Sequence, residues 1–373
     1  MDKIKDRNYG MDVLRAMAIT FVILAHIDDY IVPRQWVDPL TDLFGFIGVE
    51  LFFVLSGFLI GTILLKTYNR QSTALPGEIR TFWIRRWFRT LPNYYLVLAL
   101  YFIAYYLLES NFYLSEKSYL LFFVFLENTF TPQPHFFNHA WSLAVEEWFY
   151  LSFPIVLLAL NFLLKKPKQR VFLYTIFTFL LACLLLRIVF ALKLHVHWDA
   201  GVRKIMPLRL DAIGFGVLTA YVKYYYQQIW QKNKLRFLIA GISAMCLLTA
   251  YYIYTFIIEK EEGFFLKTFF FSLFSMSIAL IFPYAEAIGS KKDHFLKRVI
   301  THVSIISYSI YLIHPLLILI LNYKTFDGIT GPIKLIILLT ATVGISTLQY
   351  YYFEKPMTDL RDNLQQKGMK AYS

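Results

Sequence analysis

The sequence is poor in charge and in cysteine. Only 17% of its 373 residues are charged, whereas 58% are hydrophobic and 19% are aromatic. This apolar excess is too large for one water-soluble core, so the composition excludes an ordinary soluble enzyme and indicates that the bilayer is the solvent. The two cysteines, Cys183 and Cys246, both lie in apolar stretches, which excludes a disulfide framework and a cysteine-based zinc site.

The sequence also lacks internal repeats, low-complexity tracts and any polar stretch long enough for a second domain. Lys3, Lys5 and Arg7 precede an apolar segment without a small-residue cleavage site, so that segment is predicted to be a retained first span. The net charge of +12 is dispersed among short loops, which argues against nucleic acid as a partner. We therefore expect one membrane domain, residues 1–356, and a short cytoplasmic tail, residues 357–373.

Long apolar runs are what the sequence has in abundance. A helix needs roughly 20 mostly apolar residues to cross about 30 Å of hydrocarbon. The predicted fold class is therefore all-α, a polytopic membrane protein with about ten transmembrane helices. The ten spans are predicted at 11–31, 43–65, 92–108, 139–162, 171–192, 207–222, 235–256, 264–286, 299–321 and 332–352.

The distribution of basic residues predicts the orientation of these helices. Of the 37 lysines and arginines, 26 fall in the terminal segments and in the loops after even-numbered spans, and nine fall in the opposite loops. Because basic residues concentrate on the cytoplasmic side, both termini are predicted to be cytoplasmic. A crossing within 109–138 would spoil this asymmetry, so Tyr119–Phe130 is predicted to be a re-entrant or interfacial helix.

Ionisable side chains inside the predicted spans are candidate functional groups, because each one costs several kcal/mol in hydrocarbon. Four of them lie at similar depth, within roughly 12 Å of the outer boundary at about 1.5 Å per residue. They are His26, Glu50, Glu146 and His314. Groups at one depth can share one polar cavity.

His26 is the preferred catalytic residue. It lies eleven residues after Arg15, about three helical turns, which places both on one face of the predicted first span about 16 Å apart. Asp12 lies one turn before Arg15, a spacing at which the two side chains pair. A neutral histidine suits general-base chemistry on a hydroxyl when a carboxylate fixes its tautomer, and Glu146 is the preferred carboxylate. The alternative is a histidine that only packs against a neighbouring span.

Two further patterns have a chemical and a packing interpretation. Arg86 and Arg89, one turn apart at the inner end of the third span, suit a phosphate ligand, although cytoplasmic arginines also anchor topology and lipid headgroups. Small residues in the second span permit close approach of another helix. These are Gly45, Gly48, Ser56, Gly57 and Gly61.

No metal site and no permanently bound cofactor are predicted. His135 and His139 have i,i+4 spacing, and His195 and His197 alternate along the chain. Proline neighbours and the lack of a third ligand argue against a metal at either place.

Several stretches carry recognisable motifs in a fixed order. They are MDVLRAMAITFVILAH, GVELFFVLSGFLIG, RRWFRTLPNYY, WSLAVEEWFYLSFP and SYSIYLIHP, with weaker matches in MPLRLDAIGFGVLTA and YYFEKP. Together they resemble the acyltransferase-3 family of integral-membrane acyltransferases, which acylate sugars of lipopolysaccharide, peptidoglycan and other glycans. The matches run from about residue 10 to residue 356. Each motif is weak alone, but the set is specific.

The resemblance implies a role for each matched residue. It makes Arg15 and His26 the catalytic signature and places Glu146 at the family's acidic position. It makes Arg86 and Arg89 the cytoplasmic site that receives acyl-CoA. Further matched or neighbouring positions are predicted to bind substrate or support the site: Asp12, Glu50, Trp141, Ser142, Asp211 with its neighbour Arg209, Tyr311 and His314.

The reaction that the resemblance implies moves an acyl group, acetyl by family frequency, from cytoplasmic acetyl-CoA to a hydroxyl. The acceptor is a glycan or lipid-linked sugar on the outer side of a bacterial inner membrane, and membrane lipids surround the protein. Two mechanisms stay open: direct transfer with His26 as general base, which is favoured, and a transiently acylated His26. The chain is expected to be of the stand-alone type, without the hydrolase-like C-terminal domain of some members.

Two functions from other classes compete with this interpretation. A polytopic transporter and a flippase for lipid-linked glycans both place charges and glycines inside spans without any acyl chemistry. A transporter is expected to show paired, interrupted spans related by internal symmetry, and the sequence shows none. Binding of CoA discriminates the enzyme from both alternatives.

Overall fold

The structure is a computed structural model that describes most of the chain. The described residues are 7–27, 38–70, 75–108, 117–134, 136–194, 196–259, 262–289, 295–323, 326 and 328–370. Within them every regular element is a helix and none is a strand, which confirms the all-α prediction.

The α-helices follow one another with short connections. In chain order they are α1 (Tyr9–Leu24), α2 (Asp38–Asn69), α3 (Leu75–Leu108), α4 (Ala140–Leu164), α5 (Lys168–Lys193), α6 (Leu210–Tyr225), α7 (Gln227–Lys232), α8 (Lys234–Ile253), α9 (Phe264–Lys267), α10 (Phe269–Ala287), α11 (Phe295–Leu321), α12 (Gly331–Gln349) and α13 (Lys355–Lys370). Shorter 3₁₀ segments are Lys117–Val124 and Met206–Leu208, and π-helical turns are Trp198–Arg203, Tyr254–Glu259 and Tyr350–Glu354.

Eight helices in the described part of the chain are long and apolar enough to cross a membrane. The first and sixth predicted spans correspond to α1 and α6, which have 16 residues each. Large apolar side chains point outward from the bundle, among them Leu107, Phe162 and Leu247, each more than 70% exposed. Lipid is the solvent that tolerates such a surface, so the chain is a multi-pass membrane protein.

The first helix is shorter than predicted, because it ends at Leu24 rather than near residue 31. The backbone N–H of His26 donates to Ile23 O at 2.9 Å. The ring Nδ1 of His26 donates to Val22 O at 2.6 Å. The His26 side chain thus bonds to Val22 O, the carbonyl that would accept from the backbone N–H of His26 if the α-helix continued. The prediction that His26 shares a helix face with Arg15 is therefore wrong, and residues 28–31 lie outside the described residues.

The third helix is longer than predicted, because it begins at Leu75 and not near residue 92. Hydropathy detects only the apolar second half of this helix, residues 92–108. The charged first half, from residue 75, is also helical because nothing in it stops a helix. At about 1.5 Å per residue the 34 residues extend about 51 Å, well beyond the hydrocarbon. Arg86 and Arg89 therefore lie in the middle of a helix.

Two other segments differ from the prediction. In place of a helix over Tyr119–Phe130, a 3₁₀ helix ends at Val124, where Phe125 adopts a left-handed backbone conformation with φ of 57°. The C-terminal residues, for which only a short tail was predicted, form α13. Arg361 on α13 donates to the backbone oxygen of Arg85 at 3.0 Å, which attaches this helix to α3.

Close approach of α2 to α6 forms the centre of the bundle, as the small residues of the second span predicted. A Cβ atom added to Gly57 would lie 2.0 Å from Ile213 O, and one added to Gly216 would lie 2.1 Å from Val54 O. Gly48 lies equally close to α1, since a Cβ atom added to it would lie 2.8 Å from Ala18 O. Only glycine lets these backbones pack at such distances.

Two buried ion pairs hold α2, α5, α6 and α10 together. Arg187 on α5 forms a bidentate pair with Asp211 on α6, at 2.8 and 2.6 Å, and Ser272 on α10 donates to the same carboxylate at 2.7 Å. Glu50 on α2 pairs with Arg209 at the start of α6. All four charged side chains are at most 1% exposed, so each charge is neutralised inside the protein.

We expect Gly57→Ala to destabilise the bundle by about 1–3 kcal/mol or more, because its methyl group has no room against the α6 backbone. The matched control is Gly344→Ala in α12, where no atom lies within 4 Å of an added Cβ. The Gly344→Ala control should leave the free energy of unfolding unchanged or raise it slightly. Thermal unfolding in detergent measures both, and equal unfolding temperatures for the two variants would contradict the packing described.

Candidate active site

Two cavities lie in line inside the bundle and meet at Val49 and Tyr311, which line both. The first, about 100 Å³, is lined by arginines and a glutamate from α1, α3 and α4. The second, about 340 Å³, is lined by histidines and by residues of the segments before α4 and α6. We refer to them as the arginine cavity and the histidine cavity.

The arginine cavity brings together residues that are far apart in sequence. Arg15 on α1 and both Arg86 and Arg89 on α3 line it, together with Glu146 and Tyr150 on α4. Tyr150 donates its hydroxyl to Glu146 Oε2 at 2.7 Å, and the Arg86 guanidinium lies 5.4 Å from the centroid of the Tyr150 ring. Three guanidinium groups around one carboxylate leave an excess of positive charge, which suits an anionic ligand.

Arg15 is positioned by its own helix and by α11. Its Nη1 donates to Ser304 Oγ at 3.2 Å and lies 3.8 Å from Asp12 Oδ1, so the predicted Asp12–Arg15 pair is present. Asp12 also accepts from Ser304 at 2.7 Å and from Arg7 Nε at 3.1 Å. Because Asp12 is shared with Arg7, it neutralises only part of the charge of Arg15.

The histidine cavity contains His26, His139 and Tyr311, and His314 lies fully buried beside them. The Nε2 atoms of His26 and His139 are 2.8 Å apart. His314 stacks edge-on to both rings, with centroid distances of 5.3 Å to His26 and 5.2 Å to His139. Burial and the neighbouring His26 and His314 lower the pKa of His139 well below its ordinary value, so this ring is neutral at pH 7.

Polar and aromatic groups complete the wall of the histidine cavity. Arg203 lies between two indole rings, 5.4 Å from the Trp141 centroid and 5.5 Å from that of Trp198. Asp199 forms ion pairs with both Arg203 and Lys204. An aromatic face beside ordered charged groups is a surface that can hold a sugar.

The junction between the cavities is a pair of hydroxyl groups. Ser142 Oγ and Tyr311 OH are 2.5 Å apart, and both reach the backbone oxygen of His139, at 3.3 and 3.1 Å. Ser142 and Tyr311 were predicted to support the site. Tyr311 lines both cavities, and Ser142 lines the arginine cavity.

The structure does not bring all predicted site residues together. His26 and His314 are neighbours, whereas Glu146 lies in the arginine cavity and is bonded to Tyr150. Glu50 forms an ion pair with Arg209, and it accepts a hydrogen bond from Ser275 at Oε2, at 2.6 Å. Asp211 pairs with Arg187, so Asp211 and Arg209 belong to two separate structural pairs.

Sequence reasoning missed His139 and Arg203, which line the histidine cavity. His139 was considered only with His135, its neighbour in sequence, and not with histidines of other helices. Glu127 and Asn128 lie in the irregular segment after Phe125, where periodicity gives no signal. Asn128 Nδ2 donates to Lys204 O at 2.8 Å and to Trp141 O at 3.2 Å, so it joins the two segments that wall the histidine cavity. His135 and His195 lie outside the described residues.

Comparison with known proteins gives a consistent result along the chain. A family model described as an acyltransferase domain matches residues 8–351. The protein named O-acetyltransferase OatA from Staphylococcus aureus strain NCTC 8325 is 29% identical over 98% of this chain. A protein of S. aureus strain COL, provisionally named an O-acetyltransferase, is 26% identical over 97% of this chain. The chain spans 58% of the length of each relative, and no solved structure matches it.

Glu127 should make stability depend on pH. Burial raises the pKa of Glu127 to about 8 from an unperturbed 4.5, and neither carboxyl oxygen has a partner among the described residues. The folded state thus binds an extra proton between these values. Stability falls as pH rises through this window, by at most about 1.4 kcal/mol per unit, and levels off above it.

The variant Glu127→Gln removes this titration. Its stability relative to the unaltered protein should therefore increase from pH 4.5 to about 8, as measured by chemical unfolding in detergent. A stability difference that stays constant across this range would contradict the buried acid.

Proposed function

The chain belongs to the acyltransferase-3 family, and from this premise we propose that it is a membrane O-acetyltransferase that uses cytoplasmic acetyl-CoA. The acceptor is a hydroxyl of a glycan or lipid-linked sugar on the outer side of a bacterial cytoplasmic membrane. The names of the relatives support acetyl as the transferred group. The observation that carries the proposal is the pair of cavities, one basic and one rich in imidazole, that meet at Tyr311.

The arginine cavity is the proposed donor site. Its three guanidinium groups match the phosphates of CoA, because planar guanidinium forks bind phosphate oxygens through paired, charge-assisted hydrogen bonds. Basic residues concentrate at this end of the chain's helices, as expected for a cytoplasmic entrance. The thioester end of the donor would extend from Arg86 and Arg89 past Ser142 and Tyr311 towards His26.

The histidine cavity is the proposed acceptor site, with His26 as general base. Val22 O can only accept a hydrogen bond, so His26 Nδ1 carries the proton and Nε2 keeps its lone pair, which accepts from His139 Nε2 until the acceptor hydroxyl takes that place. The acceptor hydroxyl gives its proton to Nε2 as its oxygen bonds to the thioester carbonyl carbon. The carbon–sulfur bond then breaks, and the proton passes to the departing CoA sulfur. This direct transfer requires no acylated enzyme.

The backbone carbonyl of Val22, not Glu146, orients the His26 ring in this proposal. Glu146 lies among the arginines of the donor cavity, where it accepts a hydrogen bond from the Tyr150 hydroxyl. Its role there is to keep the guanidinium groups separated and partly neutralised until the phosphates of CoA arrive.

The central test is transfer of radiolabelled acetyl from acetyl-CoA to membrane glycans in vesicles that contain the protein. We expect His26→Ala to lower transfer by about 100- to 10,000-fold, the range that a general base contributes. The matched control is His302→Ala, since His302 lies on α11, lines neither cavity and has its ring Nε2 3.1 Å from Thr347 Oγ1. Equal label with His26→Ala and with the unaltered protein would remove His26 from the mechanism.

Binding of CoA tests the donor site separately from the chemistry. We expect Arg86→Ala or Arg89→Ala to weaken CoA binding by roughly 10- to 100-fold, because each loses charge-assisted hydrogen bonds worth about 1.5–3 kcal/mol. Arg85→Ala is the matched control, because Arg85 is adjacent in sequence but does not line the cavity. Isothermal titration measures all three. Unchanged affinity in the two cavity variants would place the CoA site outside the arginine cavity, and absence of CoA binding by the unaltered protein would favour a transporter or flippase without acyl chemistry.

A further inference from the structure

Three histidines from three separate parts of the chain face one another with nearly threefold geometry. The ring centroids of His26, His139 and His314 are 4.5, 5.3 and 5.2 Å apart, and the ring planes meet at 62°, 65° and 68°. One nitrogen from each ring lies within 4.8 Å of the other two. No other such group of three ligand residues occurs among the described residues.

Two of the rings are oriented by backbone carbonyls in the same way. His26 Nδ1 is 2.6 Å from Val22 O, and His314 Nδ1 is 2.9 Å from Ile310 O, in each case the carbonyl four residues earlier. A carbonyl cannot donate, so both Nδ1 atoms carry protons and both Nε2 atoms present lone pairs. Histidines that bind metals are held in this way, with the second ring nitrogen donating to a carbonyl or carboxylate.

Two ring nitrogens of the histidine cluster have no hydrogen-bond partner among the described residues. His139 has one N–H to give, and Nε2 gives it to His26 at 2.8 Å. Among the described residues, His314 Nε2, in a side chain with no exposed surface, and His139 Nδ1 are then left without a hydrogen-bond partner. A buried lone pair without a donor is costly, and a cation among the rings would satisfy that of His314 Nε2.

We propose that His26, His139 and His314 bind one divalent transition-metal ion of the Zn²⁺ class through their Nε2 atoms. Moving the His139 proton from Nε2 to Nδ1 leaves a lone pair on all three Nε2 atoms. Ligand nitrogens of a tetrahedral zinc ion lie about 3.3 Å apart, so the 2.8 Å between the Nε2 atoms of His26 and His139 must widen by about 0.5 Å, and any ligand separation near the upper limit of 4.8 Å must shorten. The fourth position faces the histidine cavity, which has room for water or a hydroxyl.

The charges around the cluster permit a dication. Arg203 and Lys204 lie on the same cavity, but Asp199 forms ion pairs with both, and Asp42 lines the cavity as well. Neutral imidazole is the form of histidine that binds a metal ion.

The ion and the proposed chemistry compete for one lone pair. Metal binding itself does not depend on the proposed function, whereas its consequence does: His26 Nε2 cannot coordinate an ion and accept a proton at once. We therefore expect Zn²⁺ to inhibit acetyl transfer, and a chelator to restore it.

The test measures metal binding without any substrate. The full chain is purified in detergent with a tag that contains no histidine, stripped with chelator, and titrated with Zn²⁺ by calorimetry. X-ray absorption at the zinc edge then counts imidazole ligands. We expect one tight site per chain with three imidazoles, and a loss of affinity of more than about 100-fold in His314→Ala, because removing a ligand costs more than removing its orienting partner.

Two further variants keep the result interpretable. His314→Gln retains the size of the side chain and should lose tight binding as well, while His302→Ala on the same helix should keep it. Unfolding temperature in detergent identifies any variant that fails to fold. Absence of a tight site in the unaltered chain, or equal affinity in the His314 variants, would overturn the metal site. Tight binding without inhibition of transfer would leave the site standing and contradict His26 as general base.

Discussion

A charge in hydrocarbon must find its counter-charge inside the protein, and this constraint organises the whole bundle. Arg187 and Asp211, and Glu50 and Arg209, satisfy it in pairs that join α2, α5, α6 and α10. Because each pair is fully buried, neither partner can be replaced alone without leaving a charge that nothing solvates. The pairs fix the position of α6, and the glycine contacts with α2 then allow the two backbones to meet.

The same constraint separates structural charges from functional ones. In the pairs at α6 every charge is matched, which leaves nothing for a ligand. In the arginine cavity three guanidinium groups surround Glu146, so positive charge exceeds negative charge. An excess that is held in place by Asp12, Ser304 and Tyr150 is a preorganised anion site, because the helices that carry it are fixed by packing elsewhere.

The histidine cavity depends on local contacts between histidine side chains and backbone carbonyls of the same segment. Two imidazole rings bind the carbonyl four residues before them, one just after the end of α1 and one within α11, and this contact leaves the lone pair on Nε2. One geometry therefore serves a base and a metal ligand equally well. Which of the two roles His26 takes depends on what else reaches it, and in the proposed function the thioester arrives past Ser142 and Tyr311.

The sequence by itself determined the all-α membrane architecture, the family and the close approach at Gly57, because hydropathy, motif order and small-residue spacing are properties of the linear chain. It also placed Asp12 beside Arg15, since that pair lies within one helical turn. Tertiary structure alone decided that Glu146 lies with the arginines, that Glu50 belongs to Arg209, and that His139 joins His26 and His314. Those contacts depend on helix rotation and register, which packing sets among residues up to 288 positions apart and which no local pattern encodes.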